Sequence, residues 1–245
     1  MVKIGIIGLG FMGATHLKAL RQVQGAQVTA FCNPSGRNLD GDFSSVAGNL
    51  PGQEPLRWNM EGVATFRDPH EFLKHADVDL VDICAPTIEH RRLADAALES
   101  GRHVICEKPL ARNSQEARQI LSAAARHHRF VMPAMCLRFL PSWVWLRDAI
   151  QSGKYGRVHG AHFRRVAQPP AWGQAFFLDG AKSGGALLDL HIHDTDFVRF
   201  CFGDPQSVYS SGFSKVTSAV DHVMTHYEVA SGASVTAEGG WAMAP

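Results

Sequence analysis

Three side chains stand where their types and spacing could do chemistry. Lys108 lies in HVICEKPLA, an apolar run that ends in Glu107, Lys108 and Pro109. A lysine at the end of a buried strand can donate to a substrate hydroxyl, and desolvation lowers its pKa. Asp189 and His193 are four apart in GGALLDLHIHDTD, a spacing that shares one face of a continuous helix. The carboxylate could orient the imidazole or bind a hydroxyl, and an imidazole suits proton transfer near neutral pH. His191, two residues from each, points elsewhere on such a helix. A single helix cannot bring Asp189, His191 and His193 to one ion, so no metal site is expected. Asp194 and Asp196 read as surface or supporting groups, and the His127-His128 pair as solvated.

What would position these groups is a nucleotide-binding frame. Gly8-Leu9-Gly10-Phe11-Met12-Gly13 fits GxGxxG, directly after an apolar strand and at the start of a helix, the context this fingerprint requires. Gly8 would allow the tight turn, Gly10 the approach of a pyrophosphate, and Gly13 close helix–strand packing. Phe11 and Met12 open a helix whose N-terminal amides favour an anion. At the end of the second strand, where an acid would bind the ribose of NAD, the chain reads FCNPSGR: Asn33, Ser35 and Arg37. Without the carboxylate, and with Arg37 available to pair with a 2′-phosphate, the pattern favours NADP over NAD.

The elements follow the same logic. Apolar strands at residues 3–10, 26–33, 78–86, 103–109 and 129–135 alternate with helical stretches, and a Gly/Asn/Pro-rich loop is expected over 33–52. Near-continuous apolar strands between helices predict a doubly wound parallel sheet. Past about residue 134 the texture changes. A helix is expected up to Gly153, then a strand over 157–167, one helix from Gly184 to Gly203, and three strand-like runs without intervening helices. The fold class is therefore α/β: a Rossmann domain over 1–134, then an α+β domain with a largely antiparallel open sheet over 135–245.

Composition excludes other classes. The 245 residues carry a net charge of +1, with 45% hydrophobic and 19% charged residues. Nothing marks a nucleic-acid or membrane surface, and no apolar run is long enough to cross a bilayer. The N-terminus reads as a strand and not as a signal peptide. The five cysteines are scattered without paired spacing, which points to a reducing cytoplasm.

Taken together, GLGFMG, ICAPTIEH, LESGRHVICEKPLA, RFLP, SGKYGRV and GGALLDLHIHDTD resemble the Gfo/Idh/MocA oxidoreductases along nearly the whole chain. The resemblance implies a Rossmann domain followed by an α/β domain with a large open sheet, and hydride transfer between a nicotinamide cofactor and a secondary hydroxyl of a sugar, cyclitol or polyol. It makes Lys108 a catalytic lysine and Asp189 and His193 substrate contacts, the histidine as proton acceptor. It assigns Pro86 and His90 to a cofactor-side loop, Glu107 to the cofactor and Arg138 to the substrate. Homo-oligomerisation through the second-domain sheet is implied for a full-length member. Two departures stand out. His191 replaces a frequent glycine, and members are longer, so a partial sequence with an uncovered strand edge is expected. Two rivals remain open: an NAD-dependent glycoside hydrolase, which would release sugar without net reduction of cofactor, and a non-catalytic dinucleotide sensor.

Overall fold

The computed structural model describes residues 1–48 and 55–243, and the chain divides into two compact units, Met1–Ala134 and Met135–Pro245. The first contains β1 (Val2–Ile7), α1 (Phe11–Leu20), β2 (Ala26–Cys32), β3 (Ala64–Phe66), α2 (Pro69–His75), β4 (Leu80–Ile83), α3 (Thr87–Glu99), β5 (His103–Cys106), α4 (Ser114–Arg126) and β6 (Val131–Pro133). The six strands are all parallel, in the order β3-β2-β1-β4-β5-β6. The order reverses between β1 and β4, which opens a crevice at the carboxyl ends of those strands.

Apolar side chains on both faces of the sheet explain why it is buried on both sides. Ile4, Ile6, Leu17, Val28, Phe31 and Phe43 form one layer; Phe72, Val81, Leu93, Leu98 and Ile120 are part of the other. Each such side chain, fully buried, contributes roughly 1.5–3 kcal/mol. Asp68 caps α2 through the His70 amide at 2.9 Å, and Asn113 caps α4 through the Glu116 amide at 2.9 Å. β3 was not expected: it is a short, largely exposed edge strand with no apolar run to announce it. α3 begins at Thr87, so Pro86 precedes a helix that His90 joins in its first turn. Residues 33–48 are irregular as expected, apart from a short bridge at Asp42, and 49–52 lie outside the described residues.

The second unit starts with a 3-10 turn at Cys136–Phe139 and α5 (Pro141–Ser152), which Gly153 ends at φ 65°. β7 (Gly160–Val166), α6 (Gln174–Phe177), α7 (Gly180–Ser183), α8 (Gly185–Asp189), α9 (Ile192–Phe202), β8 (Ser207–Phe213), β9 (His222–Glu228) and β10 (Ser234–Gly240) follow. The sheet order is β7-β10-β9-β8, with β10 antiparallel to β9 but parallel to β7. The sheet is thus mixed, with two antiparallel pairings and one parallel. Its inner face packs Tyr227, Val235 and Ala237 against Phe197 and Val198 of α9, and Trp143 meets Phe197 edge-on at 4.6 Å. β8 is exposed along its whole length.

Candidate active site

The glycine turn behaves at each position as its type demands. Gly8 adopts φ +97°, and a Cβ there would sit 2.6 Å from the Cys84 carbonyl. The loops after β1 and β4 therefore touch at the switch point, and only glycine allows it. A Cβ at Gly13 would lie 2.2 Å from the Gly8 oxygen, so α1 packs directly onto the turn. Gly10 differs: a Cβ there meets nothing within 4 Å. The open space lies at the amide end of α1, where no side chain caps the helix. Phe11 and Met12 are half-buried beside it. This cradle fits a dinucleotide pyrophosphate on geometry alone.

The loop after β2 is tied to that turn. Asn38 donates its amide to the Leu9 carbonyl at 2.7 Å, and Asn33 donates to the Arg37 carbonyl at 2.6 Å. Ser35 and Arg37 are exposed. Arg67, one residue past β3, lies against the same loop: a Cβ at Gly36 would be 2.8 Å from its guanidinium. Sequence reasoning missed Arg67, because only the pairing of β3 with β2 brings it to this loop.

Lys108 follows β5, half-buried, at the carboxyl edge of the parallel sheet, and its peptide bond to Pro109 is cis. The residues flanking it are fixed by two histidines. Glu107, 6% exposed, accepts from the Lys108 amide at 3.0 Å and meets the His16 Nε2 at 3.0 Å. The other nitrogen of His16 meets Asp82, 3% exposed, at 2.8 Å. Burial opposes a charge on His16, but its bonds to Asp82, Cys84 and Glu107 outweigh that and raise its pKa well above the usual range. On the other side, His90 is buried, with ring nitrogens 2.8 Å from the carbonyls of both Pro109 and Ala85. Burial pushes the His90 pKa down, against the pull of those carbonyls. His90 thus braces the loop after β4 against the loop after β5, while Pro86 is exposed.

His16, Asp82 and Cys84 also offer three ligand atoms within 4.8 Å of one another. Two ligands on one tetrahedral zinc stand roughly 3.3 Å apart at the usual bond lengths. The 2.8 Å contact between His16 and Asp82 is a hydrogen bond instead. Burial pushes the Cys84 thiol up to about 12, so it stays protonated.

In the second unit, the run expected as one helix is two. The Ala186 carbonyl accepts from both Leu190 and His191, at 3.0 and 2.8 Å. This wide closure ends α8 at Asp189, and α9 restarts at Ile192. Asp189 and His193, both half-buried, therefore sit on consecutive helices and not on one helical face. At the break His191 is 2% exposed and turned into the sheet, its Nε2 2.9 Å from the Thr225 hydroxyl. Its Nδ1 is buried without a hydrogen-bond partner, and a Cβ at Gly239 would lie 2.7 Å from it. Burial pushes its pKa down to about 4. Asp194 and Asp196 are not surface groups. Asp194 is 1% exposed and pairs with Arg165 at 3.1 Å; Asp196 holds Arg138 through two bonds, at 2.8 and 2.6 Å. Arg138, expected at the substrate, has its guanidinium clamped there and stacked over Phe200.

A parallel sheet in the 3-2-1-4-5-6 order with a glycine cradle at its switch point defines a dinucleotide-binding Rossmann unit. The comparisons say which kind. Residues 2–135 match the oxidoreductase family with an NAD-binding Rossmann fold, and residues 143–245 match the GFO/IDH/MocA C-terminal domain; the chain belongs to the GFO/IDH/MocA oxidoreductase family. A myo-inositol 2-dehydrogenase of Thermotoga maritima is 27% identical over 86% of this chain and 58% of its own length. Inositol 2-dehydrogenase 2 of Saccharopolyspora erythraea is 30% identical over 82% of this chain and 54% of its own. Among solved structures, scyllo-inositol dehydrogenase of Lactobacillus casei superposes with a TM-score of 0.77 at 25% identity, covering 98% of this chain and 69% of that one. The chain thus spans between half and two thirds of the length of the curated inositol dehydrogenases it matches.

Proposed function

We propose that the protein is an NAD(P)-dependent dehydrogenase acting on a secondary hydroxyl of a cyclitol or related polyol. The observation that carries this reading is Lys108 at the carboxyl edge of a Rossmann sheet, beside the crevice whose glycine turn leaves room only at Gly10. The relatives add the substrate class, because several are named inositol 2-dehydrogenases and one a D-apiose dehydrogenase. A bound nicotinamide would supply the hydride acceptor. Gly8, Gly10, Phe11, Met12 and Gly13 would hold the pyrophosphate, and the loop of Asn33, Ser35 and Arg37 the adenosine ribose. In this assignment His193 takes the hydroxyl proton, Asp189 orients the hydroxyl, and Lys108 stabilises the developing alkoxide.

NADP is the favoured cofactor: Asn33 brings no carboxylate, and Arg37 and Arg67 put two cations near one loop. NAD is the second reading, favoured by relatives solved with NAD(H). The exposed sheet face with β8 is assigned to pairing with a second copy, and the buried thiols of Cys32, Cys106 and Cys201 fit a cytoplasmic setting. Among the described residues no helix is long and apolar enough to cross a membrane. The test is a panel of myo-inositol, scyllo-inositol and D-apiose with each cofactor, read by absorbance of reduced nicotinamide. NADP reduction with at least one of them supports the reading. Sugar released from an added nitrophenyl glycoside without net reduction of cofactor would point to the hydrolase instead, and dinucleotide binding without turnover of any of these compounds to a sensor.

A further inference from the structure

We infer that His16 is a positioning residue for Lys108: as an imidazolium it ties the buried carboxylates of Asp82 and Glu107 together, and through Glu107 it fixes the Lys108 peptide. Neither carboxylate has solvent to stabilise its charge, at 3% and 6% exposure. A buried charge persists only when paired. Both ring nitrogens of His16 face a carboxylate oxygen, at 2.8 and 3.0 Å. Ionised carboxylates only accept, so both bonds are made when both nitrogens carry protons. Glu107 uses one oxygen for His16 and the other for the Lys108 amide at 3.0 Å. The chain of contacts therefore runs from α1, the helix of the glycine turn, to the lysine with no gap.

The surrounding groups agree. The titratable groups around His16 are Asp82 and Cys84 from β4 and its end, and Cys106 and Glu107 from the end of β5; Lys108 adjoins them in sequence, and His90 of α3, whose pKa burial pushes down, faces Glu107 and Lys108 from the other side. Burial keeps both thiols protonated, so within this group His16 is the cation placed between the two acids. The consequence is that dinucleotide seated on α1 and the lysine past β5 share one rigid mount. The consequence for turnover rests on the catalytic reading of Lys108; the bridge itself does not.

The test is nuclear magnetic resonance of the chain with labelled histidine rings and backbone amides. His16 should show a doubly protonated ring from about pH 6 to about pH 9, where an ordinary histidine titrates near 6.5. In His16→Gln and in Glu107→Gln, exchange of the Lys108 amide should quicken by about tenfold or more, while Val104 in mid-β5 keeps its protection. A His16 ring that titrates near 6.5, or sits neutral beside a protonated carboxyl, overturns the inference. So does a Lys108 amide indifferent to both substitutions. On whichever of myo-inositol, scyllo-inositol or D-apiose the parent oxidises, both variants should lose about tenfold in kcat, and His16→Gln should keep dinucleotide Kd within about threefold. Unchanged kcat would refute the positioning role. A parent that oxidises none of the three counts against the proposed function and leaves the resonance data to decide the bridge.

Discussion

Acid should unfold the second unit through one histidine. His191 is 2% exposed, its Nδ1 has no partner, and burial holds its pKa at about 4 against an ordinary 6.5. The fold therefore favours the neutral ring. Below about pH 6.5 the unfolded chain takes up a proton that the folded chain refuses, so stability falls as the pH drops toward 4 and levels off beneath it. At roughly 1 kcal/mol or a little more per pH unit the full gap is worth about 3 kcal/mol, and most of it is lost between pH 7.5 and pH 4.5. That window ends above the range where Asp221 titrates; although burial opposes its charge, bonds from Thr217, Lys215 and Val216 hold its pKa below the usual carboxylate value. Urea unfolding followed by tryptophan fluorescence reads this unit, since Trp143, Trp145, Trp172 and Trp241 lie in it and only Trp58 does not. His191→Gln keeps a polar end toward Thr225 but cannot titrate, so the parent should lose about 2–3 kcal/mol more than the variant over the window. Parallel curves for the two would show that the buried ring is not held neutral.

Other outcomes can be checked alongside. Gly13→Ala places a Cβ 2.2 Å from the Gly8 oxygen and should lower both Tm and dinucleotide affinity, whereas Gly10→Ala meets open space and should spare Tm while weakening dinucleotide binding about tenfold or more, by isothermal titration. Asp221→Ala removes an acceptor shared by the amides of Lys215, Val216 and Thr217 and should cost about 3 kcal/mol in urea unfolding. Arg67→Ala and Arg37→Ala should each raise the Kd for NADP about tenfold and leave that for NAD nearly unchanged, and equal effects would remove the 2′-phosphate reading. Lys108→Ala and His193→Ala should each lower turnover of an oxidised polyol by about 10²–10⁴-fold with cofactor affinity intact, as measured by steady-state kinetics.

The sequence revealed most where a local rule forces a residue type. Gly8 and Gly13 are legible because turn and packing each exclude a side chain, and the place of Lys108 because its strand visibly ends in a charge. The split of α8 from α9 was hidden, since an apolar period with glycine at each end reads as one helix, and the His191 at the break packs against Thr225 of β9 and Gly239 of β10, strands far along the chain. His16 was hidden for a related reason: its partners lie 66 and 91 residues away. A signal for it did exist. Asp82 interrupts the apolar strand VDLVDIC and Glu107 closes another, and a carboxylate in such a strand calls for a cation. Arg67 had no signal at all, because β3 is too short and exposed to register as a strand.

The second sheet also imposes an order of events during synthesis. Its interior strand β10 bonds to both β7 and β9, yet it follows β7 by some seventy residues and leaves the ribosome after every other described strand. Until β10 emerges, β7 has no neighbour in its sheet and the β8–β9 hairpin stands alone, a unit of marginal stability in water. The Rossmann half has all six strands by Pro133 and can close while the ribosome is still extending the chain. The two units therefore face chaperones differently: the first is exposed only briefly, and the second must wait, with an unpaired edge, for β10.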